Sequence, residues 1–263
     1  MISMRIRSNN RPPISQVFLD DVRVARGIAQ ALALPKGTRV LEIGPGKGAL
    51  TSALLDEGFE VLAVERDERM RRELAGFTGL KLVIADALSF PLAKASQKGY
   101  VHLAGNLPYH ITGMIMRKVF EASRSLKSAV FMIQNEVADR LVSSSGSERS
   151  LLTLAAELHC ASRDKVFTVS PSSFKPQPKV QSGVIRLTFR DMALLDPAGE
   201  ARFFIMLKAA FSQKRKTLHN TLADLAGGKK LSAEKLDAAG VDPKRRAETL
   251  TLDEAIKLAG LFS

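Results

Sequence analysis

Four short apolar runs, each with a polar residue at or near its end, constrain the fold of this 263-residue chain more than any other feature. Segments with helical apolar spacing separate the runs, so strands and helices alternate from about residue 20 to residue 141. This alternation is typical of an α/β parallel sheet covered by helices. The runs cover residues 40–43, 61–64, 80–85 and 100–104, and the polar residues are Glu42, Glu65, Asp86 and Asn106.

Three alternate glycines follow the first apolar run and precede a helical segment at residues 49–55. At the end of a strand, glycine lets a ligand approach the backbone, and the N–H groups of the next helix face that ligand. Gly44 and Gly46, together with Ala49, also match the dinucleotide-binding pattern G-x-G-x-x-G/A. The spacing alone therefore leaves a nicotinamide dinucleotide and S-adenosylmethionine as alternatives.

The acidic residues at the strand ends help to separate these two cofactors. An acid after the second strand, here Glu65, can bind a ribose diol and is common to both kinds of site. An acid after the third strand, here Asp86, suits the adenine amino group of a cofactor and favours S-adenosylmethionine, as does Glu42. Each carboxylate alone could be a solvated strand-end group, but their order along the chain argues against that interpretation.

The four residues 106–109, Asn-Leu-Pro-Tyr, follow the fourth apolar run. The side-chain oxygen of Asn106 and a carbonyl next to or within Pro108 can accept hydrogen bonds from one exocyclic amino group, while Tyr109 offers a flat face to a base. This combination predicts a pocket for N6 of adenine, held as a nucleophile for a methyl donor. The alternative is an ordinary tight turn at a strand end.

With these motifs, the chain resembles the KsgA family of small-subunit rRNA adenine N6,N6-dimethyltransferases, relatives of the Erm methyltransferases. The resemblance covers residues 16–262 and includes residues 131–140, residues 174–184 and Arg246–Ala247–Glu248. The family pattern F-x-P-x-P-K-V-x-S-x-V, matched from Phe174 onward, is long and specific.

The resemblance implies a class I S-adenosylmethionine methyltransferase fold. This fold is Rossmann-like, with a seven-stranded, mostly parallel sheet that has an antiparallel edge, and a small all-helical C-terminal domain follows it. We expect residues 1–19 to close over the cofactor, residues 20–190 to form the catalytic domain and residues 191–263 to form the helical domain. A composition shift at residues 191–199 marks the expected boundary.

The same resemblance implies roles for individual residues. Those expected to bind S-adenosylmethionine are Val17, Leu19, Gly44, Gly46, Glu65, Asp86 and Asn106. Those expected to line the acceptor pocket are Asn106, Leu107, Pro108, Tyr109 and Phe174, the last stacking on the target base. The chain departs from the family at residues 15–19, where Val17 replaces a polar residue, and at residues 146–150, which replace a Tyr-Gly pair. Only a backbone contact would survive at Val17.

The net charge of +12 and the pI near 10.0 predict a polyanionic partner. Basic clusters occur at residues 66–72, 214–216 and 244–246, and they either contact phosphates or form solvated surface.

The resemblance implies small-subunit rRNA and the pre-assembled small ribosomal subunit as partners. We expect a cytoplasmic monomer, without a membrane span or secretory signal. We expect no metal site, because the histidines are scattered without ligand spacing and the chain has a single cysteine. We expect this residue, Cys160, in the core on a helix.

The predicted reaction transfers methyl groups from S-adenosylmethionine to N6 of two adjacent adenines, in a loop near the 3′ end of small-subunit (16S) rRNA. One alternative is an Erm-type large-subunit enzyme, although Leu107 and residues 246–248 favour the KsgA side. Another is a non-catalytic RNA-binding assembly or transcription factor, which would have no need for the whole set Gly44, Glu65, Asp86 and Asn106. A nicotinamide-dependent dehydrogenase lacks evident residues for hydride chemistry.

Overall fold

The computed structural model describes residues 17–143 and 149–262. Two features of the sequence analysis fall outside these residues. They are the N-terminal segment as far as Gln16, and residues 146–148 of the loop that departs from the family pattern. Among the residues described, none of the helices is both long and apolar enough to span a membrane.

The described chain alternates strands and helices in its first part and is helical in its last part. The strands are β1 (Phe18–Leu19), β2 (Arg39–Ile43), β3 (Glu60–Glu65), β4 (Leu80–Ile84), β5 (His102–Asn106), β6 (Ser128–Gln134), β7 (Cys160–Val169), β8 (Phe174–Lys175) and β9 (Ser182–Phe189). The helices are α1 (Val22–Ala31), α2 (Ala49–Asp56), α3 (Met70–Leu74), α4 (Leu92–Ser96), α5 (Thr112–Glu121), α6 (Asn135–Val142), α7 (Leu151–His159), α8 (Pro197–Ala210), α9 (Leu218–Thr221), α10 (Ala223–Ala226), α11 (Lys229–Ala238) and α12 (Leu252–Leu261).

Seven of the strands form one sheet in the order β4-β3-β2-β5-β6-β9-β7. The neighbours from β4 to β6 are parallel, whereas β9 is antiparallel to both β6 and β7. The predicted fold, a mostly parallel sheet with an antiparallel edge and a helical C-terminal region, is confirmed. In such a sheet the order reverses next to β2, and ligands bind beyond the carboxyl ends of the strands at this point.

Strand β6 shows why the sequence of a strand in this sheet is a continuous apolar run. Phe131 and Ile133 face one core cluster, and Val130 and Met132 face a second cluster on the opposite side of the sheet. All four side chains are fully buried because helices cover both faces of the sheet. The sheet therefore forms a rigid platform whose edge at the carboxyl ends is left for ligands.

Helix α1 begins after Asp21, whose side chain accepts a hydrogen bond from the backbone N–H of Arg23 at 3.0 Å. The helical apolar spacing of residues 20–34 predicts one buried face with Val22, Ala25, Ile28, Ala29 and Leu32. This prediction is correct at Ala25, Ile28, Ala29 and Leu32, all of which are buried. It is wrong at Val22, which is 67% exposed. Val22 is the first residue of the helix, ahead of the buried stretch through which the helix packs.

Cys160 is buried, as predicted, but it lies at the start of β7 and not on a helix. The preceding helix α7 ends at His159, and β7 is longer than the strand of a closing hairpin that the sequence predicts at residues 166–169. Burial raises the pKa of the Cys160 thiol to about 12, so the thiolate is not populated near neutral pH.

The helices from α8 to α12 enclose a third apolar cluster, which also includes Leu154 and Leu158 of α7. Helix α12 starts with a capping box in which Thr251 and Glu254 satisfy each other's backbone N–H groups. Arg124, which belongs to the sheet-containing part of the chain, donates hydrogen bonds to the helical region. Its acceptors are Glu200 of α8, at 3.2 Å, and the carbonyl of Leu195, at 2.7 Å. These contacts fix the helical region against the sheet-containing part.

Candidate active site

A cavity of about 500 Å³ opens at the carboxyl ends of the parallel strands. Its lining includes every residue for which the sequence predicted a cofactor or acceptor contact. These residues are Val17, Leu19, Gly44, Gly46, Glu65, Asp86, Asn106, Leu107, Pro108, Tyr109 and Phe174. One cavity is therefore formed by the glycine-rich turn, the strand-end acids and the Asn-Leu-Pro-Tyr motif together.

The glycine-rich turn leaves its backbone open to this cavity. Gly44 has a φ of 70°, and a Cβ added there would meet no atom within 4 Å. At Gly46 an added Cβ would lie 3.2 Å from the ring of Phe18, which packs over the turn. Helix α2 starts immediately afterwards, and Gly48, with a φ of 89°, precedes its first residue. A side chain at Gly44 would occupy the space that a ligand needs.

Two carboxylates are held by backbone N–H groups on the donor side of the cavity. Glu65, which is only 6% exposed, accepts from the N–H of Gly46 at 3.2 Å and from that of Asp67 at 2.8 Å, each on a different oxygen. Asp86 accepts from the N–H of Leu88 at 2.8 Å. Because carboxylate oxygens have further lone pairs, both groups are oriented yet still able to accept hydrogen bonds from a ligand.

Glu42 also lines the cavity and is almost completely buried. One of its oxygens accepts from the hydroxyl of Thr51 at 2.6 Å, while Oε1 has no partner in the described part of the chain. Burial raises the pKa of Glu42 to about 8; the hydrogen bond from Thr51 acts against this rise, and the nearby negative charge of Glu65 contributes to it. From the sequence, Glu42 favours an S-adenosylmethionine site but is not assigned a contact, and the structure places it in the cavity lining.

The Asn-Leu-Pro-Tyr motif follows β5 in a turn whose carbonyl groups differ in availability. The carbonyl of Pro108 accepts from the N–H of Ile111 at 3.1 Å and from the hydroxyl of Thr112 at 3.0 Å. The carbonyl of Leu107 accepts from no residue that the structure describes, and neither does the side chain of Asn106. The sequence left two carbonyls as possible acceptors, and the hydrogen bonds favour that of Leu107.

Residues 174–184, which match the long family pattern, reach the same cavity through β8 and the loop between β8 and β9. Phe174 is 1% exposed and lines the cavity, and Ser182 lies beside Tyr109 with 2.7 Å between the hydroxyl oxygens. Strand β8 pairs with β1, so Leu19 lies opposite Phe174. The N-terminal strand is thereby fixed between the glycine-rich turn and the acceptor side.

Several lining residues were not predicted. His110, interpreted from the sequence as an ordinary loop histidine, lines the cavity and is exposed. Lys47 places its Nζ 4.9 Å from the centre of the Phe18 ring. Others outside the predicted set include Phe18, Arg66, Gln134, Pro178, Lys179 and Val180. The basic character of Arg66, and the family resemblance of residues 131–140 and 174–184, could have indicated some of these positions.

This donor set fits S-adenosylmethionine. The open turn at Gly44 accommodates a close ligand, the two oriented carboxylates suit a ribose diol and an adenine amino group, and Oε1 of Glu42 is a buried polar atom without a partner among the described residues. Within residues 17–143 and 149–262, no three His, Cys, Asp or Glu side chains are grouped so that they could hold a metal ion.

A family model described as ribosomal RNA adenine dimethylase matches residues 7–262. The chain belongs to this family. It is 43% identical to the ribosomal RNA small subunit methyltransferase A of Desulfitobacterium hafniense, over 92% of this chain and 88% of that protein. It is 40% identical to the protein of the same name from Myxococcus xanthus, over 91% and 86% of the two chains.

Solved structures agree with this membership. A dimethyladenosine transferase from Plasmodium falciparum has a TM-score of 0.75 and 27% identity, over 92% of this chain and 95% of that one. The 23S rRNA methyltransferase ErmE has a TM-score of 0.66 and 27% identity, over 93% and 99%. Family membership confirms the predicted enzyme class, an rRNA adenine methyltransferase that uses S-adenosylmethionine.

Proposed function

We propose that the protein methylates N6 of two adjacent adenines in a loop near the 3′ end of small-subunit (16S) rRNA, as a step of ribosome biogenesis. The observation that carries this proposal is the pair of free acceptors, the Asn106 side chain and the Leu107 carbonyl, in the cavity that also contains Gly44 and Glu65. The names of the relatives from two bacteria, which specify the small subunit, support the choice of substrate.

On the donor side, Glu65 would accept from the ribose hydroxyls and Asp86 from the adenine amino group of S-adenosylmethionine, while the Gly44 backbone would lie against the ligand. When bound, this cofactor supplies an electrophilic methyl group on a positively charged sulfur. The buried carboxylate of Glu65 gives this part of the cavity an acidic character that favours a cationic ligand.

On the acceptor side, Asn106 Oδ1 and the Leu107 carbonyl would each accept one N–H of the target amino group. Two such acceptors favour a pyramidal nitrogen whose lone pair points out of the ring. Tyr109 and Phe174 would contact the faces of the base. The methylated amine is strongly acidic while cationic and can lose its proton to water, so catalysis needs positioning and electrostatics and no strong general base.

The target adenine must leave its stack to reach this cavity, and an unpaired loop makes that least costly. Affinity for RNA would come largely from phosphate contacts, consistent with the net charge of +12. We also propose a cytoplasmic monomer that acts on the pre-assembled small subunit without a metal ion. Residues 20–190 would form the catalytic domain and residues 191–263 a helical domain that contributes to RNA binding.

Incubation with a labelled methyl donor and separated ribosomal subunits, followed by mapping of the modified nucleoside, tests this function. We expect label in two adjacent N6,N6-dimethyladenosines of the small-subunit rRNA. Label in the large subunit would instead support an Erm-type activity, in keeping with the structural similarity to ErmE. Binding of the small subunit without any label would support the non-catalytic alternative.

A further inference from the structure

Gln134 is a cavity residue to which the reaction described above gives no role. It is the last residue of β6 and lies directly before α6. Its side chain is half-buried in the cavity lining and makes no hydrogen bond with any residue that the structure describes. An amide carries two donors and an acceptor oxygen, and it needs hydrogen-bond partners once a ligand buries it. The free amide of Gln134 is therefore available to a ligand.

The strand register puts Gln134 on the acceptor side of the cavity. In the pairing of β5 with β6, Asn106 lies opposite Met132, so Gln134 lies two residues further along, or roughly 7 Å. In the pairing of β6 with β9, Gln134 lies opposite Ser182, whose hydroxyl contacts Tyr109. Asn106, which would bind N6, thus lies on one side of Gln134. Ser182, which holds the stacking ring of Tyr109, lies on the other side.

The donor side is much further away. Glu65 is on β3, and three strand spacings separate β3 from β6, which corresponds to roughly 14 Å. Asp86 follows β4, one strand further still. A glutamine side chain cannot reach the ribose or adenine groups that these acids would hold, so the part of the site within its reach is the acceptor side around Asn106 and Tyr109.

We propose that the Gln134 amide donates a hydrogen bond to one of the two ring nitrogens that flank N6 of the target adenine, N1 or N7. This inference rests on the proposed function and adds a residue to its acceptor site. Both ring nitrogens accept hydrogen bonds, and a glutamine amide is a common partner of the adenine edge. With Asn106 fixing the amino group, a second polar contact would prevent rotation of the base between Tyr109 and Phe174.

A cycle that combines protein and substrate changes tests this contact. Small subunits are assembled with a synthetic rRNA segment that carries adenosine, 1-deazaadenosine or 7-deazaadenosine at the target. If Gln134 contacts N1 or N7, replacing that nitrogen by carbon should lower kcat/KM of the parent enzyme. We expect this decrease to be about tenfold larger in the parent enzyme than in Gln134→Leu. The intrinsic effect of a deaza base on the reactivity of N6 is common to both enzymes and cancels in the comparison.

Three controls make the result specific. Gln134→Glu preserves shape but replaces the donor by an oxygen, so it should lose at least as much kcat/KM on adenosine as Gln134→Leu does. Gln181→Leu changes an exposed glutamine that is absent from the cavity lining, and it should behave as the parent enzyme. Calorimetry should give unchanged affinity for S-adenosylmethionine in all variants, and thermal unfolding checks that they are folded.

Equal deaza penalties in the parent enzyme and in Gln134→Leu, for both deaza bases, would overturn the contact. So would an unchanged kcat/KM in a folded Gln134→Leu variant. Failure of the parent enzyme to methylate unmodified adenosine is a different result, because it would count against the proposed function itself.

Discussion

The hydroxyl oxygen of Tyr109 lies 2.7 Å from that of Ser182, a fully buried residue at the start of β9. The two residues belong to two of the sequence segments that resemble the rRNA dimethyltransferases, and a hydrogen bond joins these segments inside the fold. This bond holds the Tyr109 ring by its far end. The ring is therefore oriented before a base arrives, which lowers the entropy cost of stacking on it.

Tyr109→Phe should retain the ring but lose the hydrogen bond to Ser182, and we expect kcat to fall about tenfold at most, since one hydrogen bond is worth roughly 1 kcal/mol. Tyr109→Ala should fall much further because the stacking face is lost. Ser182→Ala should resemble Tyr109→Phe, and the double variant should be no worse than either. Single-turnover methylation of small subunits measures these rates. Equal loss in the Phe and Ala variants would assign the role to the hydroxyl itself.

Glu65→Ala should weaken S-adenosylmethionine binding by about 1.5 to 3 kcal/mol, the scale of hydrogen bonds to a charged group. Glu65 also orients the N–H of Gly46, so part of this loss would come from the glycine-rich turn. Isothermal calorimetry measures the affinity, with Glu60→Ala as control, because Glu60 lies on the same strand but pairs with Arg39 at the surface. A folded Glu65→Ala protein with parental affinity would rule out the ribose contact.

Much of the site could be predicted because it depends on local patterns. The apolar runs determine which residues end neighbouring parallel strands, and parallel strands bring their carboxyl ends together, so Glu65, Asp86 and Asn106 had to share one edge. The resemblance added Phe174 and Leu19, which no spacing rule connects to that edge. Their meeting depends on the pairing of β1 with β8.

What could not be predicted depends on long-range packing. The partner of Tyr109 lies 73 residues away, and a lone serine gives no signal of that contact. Gln134 ends an ordinary apolar strand, and its free amide is visible only once the neighbouring strands are known. Val22 fitted the apolar periodicity of α1 but is exposed, because periodicity does not determine where the packing surface of a helix begins.

Because of Glu42, the free energy of unfolding should decrease as the pH rises. Its pKa is raised from 4.5 to about 8 in the folded protein by burial, so the folded state keeps a proton that the unfolded state releases. The stabilisation is complete below about pH 4.5 and is lost as the pH rises to about 8. Glu42→Gln should remove this dependence, and the difference between the two proteins should amount to a few kcal/mol across the window.

Urea unfolding at pH 5, 6.5 and 8 measures this difference. The comparison with Glu42→Gln is needed because His102 and His159, whose pKa values are lowered by burial, change stability in the opposite sense as the pH falls below 6.5. These histidines contribute equally to both proteins. Parallel stability profiles for the parent protein and Glu42→Gln would contradict a protonated Glu42.

The two basic triplets of the helical region have different structural surroundings. Lys214, Arg215 and Lys216 lie exposed between α8 and α9, and they form no ion pair with any described residue. In the other triplet, Arg245 donates to both oxygens of Glu254, at 2.7 Å and 3.0 Å, and to the hydroxyl of Thr249. The first triplet is therefore free to contact phosphates, whereas Arg245 stabilises the turn before α12.

Converting Lys214, Arg215 and Lys216 to Ala should lower affinity for the small ribosomal subunit and flatten its salt dependence by up to about one log-log unit per lost phosphate contact. Arg245→Ala should instead lower the free energy of unfolding by about 1 to 2 kcal/mol, because it leaves the partly buried Glu254 without its partner. Salt-titrated binding and urea unfolding of both variants separate the two effects. S-adenosylmethionine affinity should be unchanged in both. A triple variant with the parental salt slope would show that the first triplet is only solvated surface.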